Sequence, residues 1–198
     1  MPRKSDAKER MILSGVELFR ERGLQGTAFA DVLEHSGAPR GSVYYHFPGG
    51  KEQFSAEVVQ FAGKGIARGL RELLAEHGPA EALGLFVEMW SDGLVRSEFK
   101  AGCPVLAAII DGDEAEPARE QAAVAFRRWD ALLADALIEA GIARQRAQAF
   151  STLALAAIEG AVALSRAERS VAPLQRVAEL LREQLDDELA AAGVAPAA

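Results

Sequence analysis

Residues 40–51 gather an unusual set of hydrogen-bonding side chains for so short a stretch: Arg40, Ser42, Tyr44, Tyr45, His46 and Lys51, with Gly41 among them. The two tyrosines are the only ones in the chain. Phenolic hydroxyls donate well to phosphate oxygens, and their rings supply rigid contact area. An arginine can fork onto guanine O6 and N7, and serine is short enough to meet a base edge of either kind. Gly41 lets a backbone approach a partner closely. Lys51, at a helix start, joins a positive side chain to free backbone N–H groups, which suits a phosphate. Together these are the groups that read double-stranded DNA.

Such groups need a rigid mount, and the surrounding pattern supplies one. Ile12, Gly15, Val16 and Phe19 recur at helical spacing within a first helix over 5–22, which Gly23 stops. A second helix over 27–36 is expected to start at Thr27, whose hydroxyl can cap it, and carries Val32 and Leu33 inward. Gly37 takes the positive φ of a tight turn, and a third helix over 40–46 follows, broken by Phe47-Pro48-Gly49-Gly50. Val43 points back onto the second helix and fixes the crossing. Two short helices about a glycine turn make a helix-turn-helix.

The stretch from Thr27 to Lys51 resembles the TetR family of transcriptional regulators. The carrying motifs are Glu17-Leu18-Phe19 through Gly23, Thr27, Ser36-Gly37-Ala38-Pro39, Gly41-Ser42-Val43-Tyr44-Tyr45-His46-Phe47 and Lys51-Glu52. The likeness covers about residues 8–56. Leu33 in place of a usual alanine, and one extra residue in Pro48-Gly49-Gly50, point to the LmrA and YxaF subset, as do Gly102-Cys103-Pro104 and Ile158-Glu159-Gly160-Ala161. The resemblance implies phosphate contacts from Thr27, Tyr44, Tyr45, His46 and Lys51, and base contacts from Arg40, Gly41 and Ser42.

The rest of the chain reads as an all-α body. Longer helices are expected over 51–76, 80–97, 117–140, 144–169 and 173–191, with a short apolar one ending at Ile110, for about nine helices in all; no strand pattern or internal repeat is visible. The expected division is a DNA-binding domain over 1–55, a ligand-binding and dimerisation domain over 56–192, and a disordered tail over 193–198. The resemblance implies a small-molecule pocket in the body, for which Phe86, Met89, Trp90, Phe99, Cys103, Val105, Ile109, Phe126, Trp129 and Phe150 are suitable linings. Each is equally at home as plain core. The resemblance further implies a four-helix dimer interface from the last two helices. Leu153, Ala157, Gly160 and Leu164 on one helix, and Val177, Leu181 and Leu185 on the next, offer small residues against leucines. A twofold dimer would set two reading helices side by side, as a pseudo-palindromic operator requires.

Net charge is −7, but residues 1–55 hold eight Lys/Arg against seven Asp/Glu, while 56–198 hold fourteen against twenty-two. A small basic face on an acidic body is compatible with DNA. Four of the early bases, Arg3, Lys4, Lys8 and Arg10, fall in the first ten residues. The single cysteine forbids an internal disulfide, and neither a membrane span nor a signal peptide is expected, which suits the cytoplasm. Cys103 reads first as a buried thiol, with a redox sensor as the sharper alternative. Gly63-Lys64-Gly65 follows no strand, so it reads as close packing of a helix, not a nucleotide loop. Residues 111–116 read as a solvated acidic loop. His35, His46 and His77 lack metal spacing, and no cofactor site or nucleophile–base pair is visible, so an enzyme is not expected. The favoured function is a repressor released from its operator by a small apolar or aromatic ligand. The rivals are a helical binding protein or enzyme that no longer reads DNA, and an adaptor working through protein contacts.

Overall fold

A computed structural model describes residues 4–110 and 116–193. Residues 111–115 of the expected acidic loop, 194–198 of the expected tail, and the side chains of Arg3 and Lys4 lie outside the described residues. Helices follow one another without a strand among the described residues: α1 (Lys4–Arg22), α2 (Phe29–Ser36), α3 (Ser42–His46), α4 (Gly50–Glu76), α5 (Pro79–Arg96), α6 (Pro104–Ile110), α7 (Glu116–Glu139), α8 (Arg144–Glu168) and α9 (Ala172–Ala191). The all-α expectation holds.

The described residues form two compact units, 4–65 with 102–110 and 116–125, and 66–101 with 126–193, so the division falls inside α4 and α7. In the first unit α1 is the axis, packing on α2, α3 and α6. Met11, Ile12, Leu18 and Phe19 on α1 are buried together with Val32, Val43, Phe47, Phe54 and Val58. Phe54 is the hub. Its ring meets Phe19 at 6.0 Å, Phe29 at 5.3 Å and Phe47 at 5.0 Å between centroids, mostly edge to face, the geometry that aromatic quadrupoles favour. Gly15 lets α4 come close: a Cβ there would lie 2.6 Å from Val58 Cγ2 and 2.7 Å from Phe54 Cζ. Gly63 does the same for α7, where a Cβ would stand 2.7 Å from Ala125 Cβ. The glycines of Gly63-Lys64-Gly65 thus include a helix-packing contact, as the chain pattern suggested.

The Gly102-Cys103-Pro104 motif seats α6 on α1. The Gly102 N–H donates to Arg20 O at 2.7 Å, and Arg20 Nε donates back to Gly102 O at 3.4 Å. Cys103 Sγ accepts the Leu106 N–H at 3.4 Å, at the first turn of α6, and the thiol is buried. The sulfur thus helps satisfy an otherwise orphaned helix-start donor.

In the second unit α5, α8 and α9 pack on one another. Leu83, Phe86, Trp90 and Leu94 from α5, Phe150, Ala154 and Ile158 from α8, and Leu174, Leu181 and Leu185 from α9 are buried. Ser151 Oγ donates to Asp130 O at 2.7 Å, tying α8 to α7. At the far end of α9, Arg146 grips Glu188 through both Nε and Nη2; that guanidinium holds the Glu188 carboxyl below its ordinary range. Among the described helices, α8 is long and apolar enough to cross a bilayer by composition. Part of that apolarity is buried in this unit, and the rest forms the stripe described below.

Candidate nucleic-acid interface

The reading helix begins later than its sequence suggests. Arg40 and Gly41 lie in the turn ahead of α3, which starts at Ser42. The turn is closed by Ser42, whose N–H donates to Pro39 O at 2.9 Å and whose hydroxyl donates to the same oxygen at 2.5 Å. Met11 Sδ, at 4.0 Å, is a second and weaker acceptor for that hydroxyl; with its proton on the carbonyl, the hydroxyl meets a further partner as an acceptor. Gly37 caps α2 in the left-handed region at φ 62°, which permits the sharp reversal between the two helices.

The exposed side of α3 carries Tyr44, 78% accessible, and Tyr45, 68% accessible. Val43 and Phe47 are buried beneath them. His46 is half-buried, its ring 4.9 Å from that of Tyr45 in an edge contact. Gly41 is exposed with φ −71°, and a Cβ built on it meets nothing within 4 Å. Neither backbone conformation nor internal packing asks for glycine there. Lys51 is exposed in the first turn of α4, after Gly50 at φ 67°.

The cations sort into two groups. Lys8 Nζ pairs with Glu57 at 2.7 Å and lies 5.4 Å from the Phe47 ring centroid. Arg10 Nε donates to Ser36 O at 3.1 Å, Arg20 holds Gly102, and Arg22 sits 3.8 Å from Asp31. Arg40 and Lys51 are exposed and make no hydrogen bond or ion pair among the described residues. The two cations flanking α3 are thus uncommitted, while those of α1 whose side chains are described hold the fold together.

Thr27 needs correction. It does not cap α2: the helix starts at Phe29, with Ala28 as its N-cap, and Asp31 Oδ2 accepts the Ala28 N–H at 2.8 Å. The Thr27 hydroxyl donates to Gly23 O at 2.8 Å and the residue is 2% exposed. A carbonyl left over at the end of α1 offers a nearby acceptor, so Thr27 braces the loop from beneath and presents no side-chain surface.

The body departs from expectation in several places. Phe86, Trp90, Trp129 and Phe150 are buried in the second unit, with Phe86 edge-on to Trp90 and Phe126 edge-on to Trp129. Phe99 and Phe126 are half-buried. Cys103 and Val105 are buried in the first unit. Met89 and Ile109 are surface residues, 43% and 42% exposed, so they do not line an enclosed space. A cavity of about 450 Å³ lies between α8 and α9, with Ala149, Phe150 and Leu153 as its apolar part and Arg146, Gln184, Asp187 and Glu188 as its polar rim. Of the expected pocket residues it includes Phe150.

Leu181 and Leu185 are 3% and 0% exposed and belong to the core of the second unit. Helical spacing reveals an apolar face without revealing what covers it; here α5 and α8 do. What remains outside is a stripe along α8, with Ala149, Leu153, Ala156, Gly160 and Leu164 exposed and Ala157 half-buried. Beside it on α9 stand Leu180, 56% exposed, and half-buried Val177. Leu180 is off the 174, 181, 185 repeat, so helical spacing does not single it out.

Residues 12–58 match the family described as bacterial regulatory proteins, tetR family, and residues 79–180 match the LmrA/YxaF-like C-terminal domain of transcriptional regulators. The chain is a TetR-family transcriptional regulator. It is 40% identical to an HTH-type transcriptional regulator of Mycobacterium tuberculosis over 92% of this chain and 95% of that one. It is 32% identical to the HTH-type transcriptional regulator LmrA of Bacillus subtilis over 91% and 97%. Among solved structures, a TetR regulatory protein from Rhodobacter sphaeroides matches with a TM-score of 0.80 at 23% identity, over 89% of this chain and 97% of that one. A TetR regulator from Legionella pneumophila gives 0.79 at 19% identity, over 89% and 96%. These two attest the fold of this TetR-family regulator. The family and its LmrA/YxaF-like branch agree with the motifs that carry the resemblance.

Proposed function

We propose that this TetR-family regulator is a homodimeric repressor whose α3 enters the major groove and whose release is triggered by a small molecule. Residues 1–55 form the reading domain and residues 56–192 the ligand-binding and dimerisation domain; the protein acts in the cytoplasm and carries out no catalysis. One observation carries the reading: among the described residues Arg40 and Lys51 have no partner and stand on either side of two exposed tyrosines, while Lys8, Arg10, Arg20 and Arg22 have internal partners.

In this reading Tyr44, Tyr45, His46 and Lys51 hold the phosphates. Arg40 forks onto a guanine, and Gly41 admits the bases. Ser42, its proton committed to Pro39 O, accepts from an exocyclic amino group of adenine or cytosine. The ligand is apolar or aromatic. Trp90 Nε1, buried and without a hydrogen-bond partner among the described residues, supports a ligand that also carries an acceptor, because an unmet buried donor is costly. Ligand binding favours a state in which the two α3 helices are no longer about 34–36 Å apart, the spacing of successive major grooves.

The test is Arg40→Ala, measured by operator titration with every base pair of the half-site varied in turn. Affinity should fall by about 1–3 kcal/mol and preference should relax at one base pair per half-site. Unchanged affinity and unchanged preference would remove Arg40 from the base contacts.

A further inference from the structure

The Pro48-Gly49-Gly50 loop sets the start of α4, and a hydrogen-bonded chain crosses from it to α1. Gln53 Oε1 accepts the Gly49 N–H at 2.8 Å. Gln53 Nε2 donates to Glu57 Oε1 at 2.9 Å. Glu57 Oε2 holds Lys8 Nζ at 2.7 Å. Each link fixes the next. A backbone N–H demands an acceptor and a carboxylate demands a donor, so only one orientation of the Gln53 amide satisfies both ends. Gly49 and Gln53 also fit one another sterically, since a Cβ on Gly49 would come 3.0 Å from Gln53 Cβ and 3.1 Å from its Oε1.

Lys51 lies between Gly49 and Gln53 in sequence, within the turn that this chain closes. Its own side chain has no internal partner among the described residues. Gly50, in the left-handed region, makes the loop swivel easily unless something restrains it. We propose that Gln53 is a positioning residue for DNA binding: through Gly49, and backed by Glu57 and Lys8, it latches the loop so that Lys51 and the first N–H groups of α4 face a phosphate. The latch also gives Lys8 on α1 a structural partner in Glu57. The inference rests on the assignment of Lys51 to a phosphate.

The test compares operator affinity and its salt slope for five proteins: wild type, Lys51→Ala, Gln53→Ala, the Lys51→Ala/Gln53→Ala double variant, and the exchange Gln53→Glu with Glu57→Gln. The exchange of Gln53→Glu with Glu57→Gln conserves net charge and the hydrogen-bonded connectivity, because the new carboxylate accepts from both Gly49 and the new amide, whose oxygen still accepts from Lys8 in place of the ion pair. Lys51→Ala should weaken binding roughly tenfold and flatten the slope of log K against log salt by about 0.9 per half-site. Gln53→Ala should reproduce most of both changes with base preference and melting temperature unaltered. The double variant should be no weaker than Lys51→Ala alone, and the exchange should restore wild-type slope and affinity. A silent Gln53→Ala beside a weakened Lys51→Ala would overturn the latch while leaving the phosphate contact standing. So would additive losses in the double variant or an exchange that restores nothing. A silent Lys51→Ala would overturn the phosphate contact, and the latch with it.

Discussion

Gly160→Glu is expected to convert the protein to monomers that remain folded and no longer hold the operator. Gly160 is exposed in the middle of the α8 stripe, and a Cβ there meets nothing within 4 Å of its own protomer. The substitution therefore introduces no internal clash, and leaving glycine in mid-helix gains about 0.5–1 kcal/mol of helix propensity. Between two copies the position is different. A twofold axis brings each change in twice, so two carboxylates enter a face of alanines and leucines with no cation beside them in the stripe. Burying each unpaired charge costs several kcal/mol, enough to weaken dimerisation more than a hundredfold. Sedimentation and thermal melting should report a monomer with wild-type or slightly raised stability. A dimer of undiminished strength would show that the stripe is not the interface.

Phe54→Ala is expected to unfasten the reading module while leaving the dimer intact. Phe54 is 1% exposed and touches the rings of Phe19, Phe29 and Phe47. Truncating a buried phenylalanine to alanine costs about 3–5 kcal/mol through lost burial and the cavity left behind. Here the loss strikes α1, α2 and the loop after α3 at once, since one ring joins all three. The rings that would relax into the void include Phe47, which ends α3, so the geometry of the reading surface goes with the packing. Calorimetry should show an early transition, operator binding should be lost, and sedimentation should still report a dimer. Operator affinity equal to wild type would contradict the role of this cluster.

Much of the fold was legible because glycine and proline punctuate it. The bounds of α4 to α9 fall within a residue or so of the periodic segments, each cut by a breaker such as His77-Gly78-Pro79 or Gly102-Cys103-Pro104. The starts of α2 and α3 were misplaced by two residues, because Thr27 and Arg40 suit a helix start by type. Local carbonyls decided otherwise: Gly23 O, four residues back, captured the Thr27 hydroxyl, and Pro39 O, three residues back, captured Ser42. The exposed residues of α3 were legible because their types are costly to bury. The fate of Lys8 was not, since its partner Glu57 is about fifty residues away and on another helix. Gln53 left no signal of its own because a glutamine one turn from Gly49 and one turn from Glu57 reads as an ordinary polar helix residue. Leu181 and Leu185 were assigned to a partner subunit although their own α5 and α8 cover them, a distinction that no helical period contains.

The most direct test of the central claim is a titration of the protein against its own upstream intergenic DNA, repeated across a salt series and against a shuffled sequence. Reading through α3 predicts tight binding of one pseudo-palindromic site, a steep loss with salt of about 0.9 in slope per neutralised phosphate, and a wide gap to the shuffled DNA that persists at moderate salt. Equal affinity for both sequences at moderate salt would contradict it.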